Sequence, residues 1–104
     1  MARFDVFTNP DVAERPHTPY FLDVQNDYIA GLETRVVIPL RTEAAFGPRA
    51  RDLNPLLQVA GDSVVLDTAA LGAVPTQALR SPHGHLSAGR EDVLAALDTL
   101  FGSY

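Results

Sequence analysis

For most of the chain, apolar residues come in short runs broken by proline and glycine, and a helical period appears only near the end. Phe4 to Phe7 reads as a first strand, with Phe4 and Val6 on one face. Tyr20 to Val24 reads as a second, and Arg35 to Leu40 (RVVIPL) is the strongest β signal in the chain. Pro39 has no N–H to give to a ladder, so the pattern predicts that this strand lies at a sheet edge or is bulged there. Between the first two strands, Thr8 to Pro19 carries three prolines and reads as a loop, long for a compact domain. Phe46 to Asn54 has no assignable period. Leu56 to Ala60 and Ser63 to Leu66 flank Gly61-Asp62, which predicts a hairpin with Gly61 in the positive-φ position of a type II′ turn. Thr68 to Leu79 predicts a helical turn, then a strand after Pro75.

The C-terminal segment changes register. Ser87 is a suitable N-cap, Glu91 and Asp92 sit where a helix dipole favours negative charge, and Gly102 is a fitting stop. Val93, Leu94, Leu97, Leu100 and Phe101 form an apolar stripe predicted to face a sheet. Strands first and a helix last imply an α+β, mostly β fold: a small antiparallel sheet or barrel closed by one C-terminal helix.

Composition narrows the function. The 104 residues predict one domain, spanning 1–104, with 46% apolar residues as in a globular protein. Eight basic residues, all arginine, stand against thirteen acidic ones, a formal charge of −5. That balance argues against gripping nucleic acid by phosphate neutralisation and against an anionic membrane surface. With no cysteine there is no disulfide framework and no thiolate chemistry. The first twenty residues lack the apolar core of a signal peptide, and no apolar run is long enough to cross a bilayer. A cytoplasmic protein is the expectation.

Candidate chemistry is sparse. His83-Gly84-His85 offers two imidazoles at a turn without a third ligand nearby, so no metal and no cofactor are expected. Asp23 and Asp27 bracket a strand end, where an aspartate capping a turn outweighs a catalytic carboxylate pair. Arg41, Arg49 and Arg51 form a small basic cluster, either a face for an acidic peptide or phosphate or a solvated face with local ion pairs. Neither a phosphate-cradling glycine loop nor a serine elbow occurs. These residues point to a binding domain and not to an enzyme. Two positions stand out: Tyr28-Ile29, just past the end of the second strand, and the aromatics Phe101 and Tyr104 at the C-terminus. Ordered aromatics of this kind serve as anchors in a partner pocket, although Phe101 also continues the helix stripe and fits a core.

The order of segments resembles the CcdB family of plasmid and chromosomal toxins. F-x-V-F-x-N, PYFLDVQND, TRVVIPL, LNPLLQVAGD, LGAVP and the closing LDTLF carry the resemblance over nearly the whole chain. It implies a twisted antiparallel sheet of SH3-like barrel type with a C-terminal helix, and a homodimer. It further implies a plasmid-maintenance type of toxin without chemistry of its own. Such a toxin binds the DNA gyrase A subunit and traps gyrase on cleaved DNA. A CcdA-like antitoxin neutralises it, and the two together repress their operon, so DNA is met only through the antitoxin complex. Carried over by position, the gyrase-binding residues are Tyr28, Ile29, Asp98, Gly102, Ser103 and Tyr104, joined by Phe101. Arg41, Arg49 and Arg51 are the only clustered cations for an acidic antitoxin.

One departure matters. Toxic members of the family end in tryptophan, glycine and an aliphatic residue, whereas this chain has no tryptophan and places Gly102 there. Losing such an anchor costs on the order of 2 kcal/mol, about thirty-fold in affinity. Either Tyr104 fills the pocket, or this homologue poisons gyrase weakly while still binding antitoxin. A MazF-type endoribonuclease on the same fold is the alternative; it would use Arg49, Arg51 and His83 or His85, and the negative charge opposes it. An edge strand RVVIPL would need covering, which also predicts a dimer.

Overall fold

The computed structural model describes residues 1–29, 31–80, 82–86 and 88–102. Seven strands form a curled antiparallel half-barrel: β1 (Asp5–Thr8), β2 (Tyr20–Asp23), β3 (Thr34–Thr42), β4 (Leu56–Val59), β5 (Asp62–Leu66), β6 (Gly72–Pro75) and β7 (Gly84–His85). Their spatial order is β4-β5-β3-β2-β1-β7, with β6 paired to the first half of β3. Among the described residues there are two α-helices, the short α1 (Glu43–Phe46) and the long C-terminal α2 (Arg90–Phe101). The mostly-β α+β architecture expected from the strand and helix periods is what forms.

Alternation within each strand sends residues to two buried layers. Val6, Leu22, Ile38, Leu40, Val64 and Leu66 face the main core, which Val93 and Ala96 of α2 complete. Phe7 and Val37 point the other way and pack with Leu79, Phe21 and Val74. Because side chains of a strand alternate with period 2, neighbouring residues such as Val6 and Phe7 belong to different layers.

β3 is not an edge strand. It pairs with β2 on one side and with β6 and then β5 on the other. Pro39 is tolerated because of where those partners change. Its carbonyl accepts from the Asp67 N–H at 3.0 Å, so its nitrogen points to the same side, past the last residue of β5 and beyond β6. A missing donor at that junction leaves no strand acceptor unpaired. The edge-strand reason for a dimer therefore falls away for RVVIPL; β4, β7 and the branching β6 have a single partner each among the described residues.

Two turns differ from the sequence pattern. The β4–β5 connection is Ala60-Gly61, closed by the Val59↔Asp62 pair, and both residues have positive φ, 51° and 85°. That is a type I′ turn, whose backbone twist matches the strands it joins. Ala60 bears a left-handed conformation that disfavours a Cβ. Ala60→Asn should therefore raise stability by about 0.5–1 kcal/mol in urea unfolding, and no gain would mean that the turn adjusts elsewhere. The strand expected after Pro75 lies before it, as β6, because Pro75 opens a 3-10 turn at Thr76–Ala78.

The expected N-cap, Ser87, lies outside the described residues. α2 starts after Gly89, at φ +90°, with no side-chain cap. A Cβ on Gly89 would come 2.8 Å from Leu57 Cδ2, and Leu57 is itself buried. Gly89→Ala combines left-handed strain with overpacking and should cost about 2 kcal/mol, read as a lower urea midpoint. The predicted apolar stripe splits in two. Val93 and Ala96 are buried and Leu97 packs at the core margin, whereas Leu94 and Phe101 stay exposed. Seven residues apart, Leu94 and Phe101 share one outward line on the helix.

Candidate functional site

β2 ends at Asp23 because its side chain takes over the backbone. Asp23 Oδ1 accepts from the Gln25 N–H at 3.0 Å, an aspartate turn that redirects the chain. Its other oxygen, Oδ2, accepts a hydrogen bond from Arg35 Nε at 2.8 Å and forms an ion pair with Nη2 at 2.6 Å. The pair lies diagonally across β2 and β3, whose register sets Asp23 against Val37. Arg35 is 1% exposed and Asp23 is fully buried. Burial pushes the Asp23 carboxyl above its ordinary value, while Arg35 and the Gln25 amide pull it back.

The chain beyond Asp23 is ordered by further polar contacts. Gln25, also buried, accepts from the Val36 N–H at 3.0 Å and donates Nε2 to the Ile29 carbonyl at 3.1 Å. Asn26 receives the Tyr28 N–H on its side chain at 2.9 Å and the Ile29 N–H on its carbonyl at 3.1 Å. Asp27 Oδ1 accepts from the Arg3 N–H at 2.8 Å and lies 3.7 Å from Arg35 Nη2. A 3-10 turn over Asp27–Ile29 results. It holds Tyr28 outward at 93% exposure, with Ile29 and Leu32 also exposed. Of the two aspartates, Asp23 does cap a turn as expected, and it also anchors a buried cation.

The end of α2 forms a second apolar projection. Phe101 is 70% exposed, so the core role open to it in the sequence is not the one it takes. The Gly102 N–H returns to the Asp98 carbonyl at 2.9 Å, and Gly102 sits at φ 70°, where a glycine closes a helix without Cβ strain. Ser103 and Tyr104 lie outside the described residues. Among the described residues no hydrogen bond or ion pair joins the Asp27–Ile29 turn to the last turn of α2.

The arginines separate. Arg49 and Arg51 line a groove of about 570 Å³ together with Asp52, Pro55 and Leu56 and the outer face of α2 at Asp92, Ala95, Asp98 and Thr99. Arg49 also donates to the Asn54 carbonyl at 3.1 Å. Arg41 does not join them. Opposite Val65, it alternates with the core residue Leu40 and so points to the sheet face away from α2. The groove instead brings Asp98 of α2 beside the two arginines.

His83 and His85 each contact a neighbouring side chain of the scaffold. His85 Nδ1 lies 2.7 Å from Asp5 Oδ1, and its other ring nitrogen meets Arg90. The His83 and Tyr20 ring centres lie 5.0 Å apart, with the rings tilted by 40°. Among the described residues no group of three or more metal-ligating side chains converges. Arg49 and Arg51 line a different cavity from His83 and His85, so the set proposed for RNA cleavage is not assembled. No helix among the described residues is long and apolar enough to cross a membrane.

Arg35 and Gln25, which support the Asp27–Ile29 turn, carry no functional signal in the sequence pattern. What the sequence offers is an arginine at the head of the apolar run Val36 to Leu40, 12 residues after the strand-end Asp23. The family model for the CcdB protein matches residues 3–102. No curated protein matches the chain.

Proposed function

Since the chain belongs to the CcdB family, a family of toxin–antitoxin toxins, we propose that it acts by binding the DNA gyrase A subunit and holding gyrase on cleaved DNA. The observation that supports this reading most is the outward presentation of Tyr28 and Phe101, each on an ordered turn or helix end. Large rigid aromatics held in place bring contact area at small entropic cost. Tyr28, Ile29, Asp98, Phe101 and Gly102 form the proposed docking set, with Ser103 and Tyr104 continuing it. The protein makes and breaks no bond itself; the damage comes from the trapped topoisomerase. A homodimer would offer two equivalent contacts to a two-fold target.

Purified protein, gyrase and supercoiled DNA test the reading together. Stabilised cleavage complexes are the expected product, and neither cleavage nor binding to the isolated A subunit at micromolar protein would end it. Gly102 favours a weaker variant of the same reading. With a helix-closing glycine where toxic relatives carry an anchoring ring, binding without efficient poisoning is the outcome to separate by expression in a susceptible host.

The proposed antitoxin contact is an acidic, CcdA-like segment in the Arg49–Arg51 groove, with Arg41 reached only by a segment that passes round the sheet. Arg49→Glu with Arg51→Glu should weaken antitoxin binding about tenfold or more and flatten its salt dependence. Arg41→Glu should do less. Equal effects from all three positions would contradict the separation of the sheet faces.

A further inference from the structure

We infer that Arg35 is a positioning residue for docking, holding the Asp27–Ile29 turn at both ends from beneath. The inference rests on the proposed docking role of Tyr28 and Ile29. One route runs through Asp23, which takes Arg35 on one oxygen and the Gln25 amide on the other; Gln25 then holds the Ile29 carbonyl at 3.1 Å. The other route is direct, from Nη2 to Asp27 Oδ1 at 3.7 Å. The guanidinium has donors to spare. Nη1 and Nη2 are buried and make no well-directed hydrogen bond among the described residues, although Nη2 is paired in charge with Asp23.

Asp27 is 58% exposed, so in the free protein water screens its attraction to Arg35. A partner that covers Tyr28 and Ile29 removes that water. The effective dielectric falls, the attraction strengthens, and Nη2 gains an acceptor as the gap closes. The buried cation thus holds the turn loosely before docking and tightly within the complex.

Two variants test this. Asp27→Asn keeps an oxygen for the Arg3 N–H and removes only the charge. Asp23→Asn with Arg35→Met removes both buried charges and keeps the oxygen that takes the Gln25 amide. Amide hydrogen exchange in the free protein should quicken about tenfold at Tyr28 and Ile29 in the double variant, with β4 and β5 unchanged. Affinity for the gyrase A subunit should fall about tenfold in both variants, with Asp27→Asn unfolding at the parent's urea midpoint. Unchanged exchange at Tyr28 and Ile29 in the double variant would overturn the inference whatever gyrase does. So would parental gyrase affinity in Asp27→Asn, or a loss of fold stability that accounts for its weaker binding. A parent that binds no gyrase would instead sink the docking reading, and the exchange result would still decide whether Arg35 orders the turn.

Discussion

Truncation of Phe101 to alanine should weaken binding to the gyrase A subunit by about thirty-fold or more and leave the urea midpoint nearly where it was. The two halves of that expectation have one cause. Phe101 stands 70% exposed at the end of α2, so its ring contributes little to the core and is available to a partner. A core phenylalanine would behave in the opposite way, costing about 3–5 kcal/mol of stability when cut to alanine. Tyr28→Ala should follow the same pattern, since the ring lies outside the core and its backbone hydrogen bond to Asn26 survives the change. Titration of each variant with the A subunit, alongside denaturation, checks both halves. A parallel loss of binding and stability at Phe101 would restore the stripe reading; unchanged binding at both positions would move the docking face elsewhere.

Loss of the buried cation should have the largest effect on stability. Arg35→Met leaves Asp23 enclosed without its counter-charge and is expected to cost about 3–5 kcal/mol at neutral pH. Restoring neutrality with Asp23→Asn in the same chain should recover most of it, because a buried pair adds little over uncharged groups that fit. The single variant should also depend on pH in a defined direction. Burial already raises the Asp23 carboxyl, and Arg35 is among the groups that lower it. Without Arg35 the folded value rises further. A raised carboxyl binds its proton more tightly folded than unfolded, so its penalty is full above the folded value. The penalty disappears as pH falls to the ordinary 3.8. Urea unfolding at neutral and acidic pH should therefore show the gap between Arg35→Met and its parent narrowing on acidification. A gap of constant size would exclude Asp23 as the charge responsible.

Both expectations bear on one arrangement. The residues proposed for docking, Tyr28 and Phe101, lie outside the core, and the pair proposed to organise the first of them lies within it. Arg35 therefore couples stability to presentation: substitutions there change the fold, whereas substitutions at Asp27 reach the turn with the core left whole.

Local sequence determined most of the elements and where on them the residues proposed for docking fall. Alternation at Val6-Phe7 and Val37-Ile38 specifies strands with two buried faces, and the helical period from Val93 onward specifies α2, closed at Gly102. The placing of Tyr28-Ile29 just beyond a strand end, and of Phe101 at a helix end, is likewise legible because it depends on neighbours in the chain. Tertiary structure alone decided the rest. Pro39 sits in a central strand because β5 and β6 change over beside it, a fact of pairing between distant segments. Leu94 faces out and Ala96 in because the sheet contacts one side of α2 and not the other. Arg41 parts from Arg49 and Arg51 because alternation sends it to the far face of the sheet. Arg35 is buried because the register of β2 against β3 brings Asp23 diagonally across to it. Periodicity follows from bonds between neighbouring residues; burial and charge pairing follow from which segments meet, and only the folded chain brings those together.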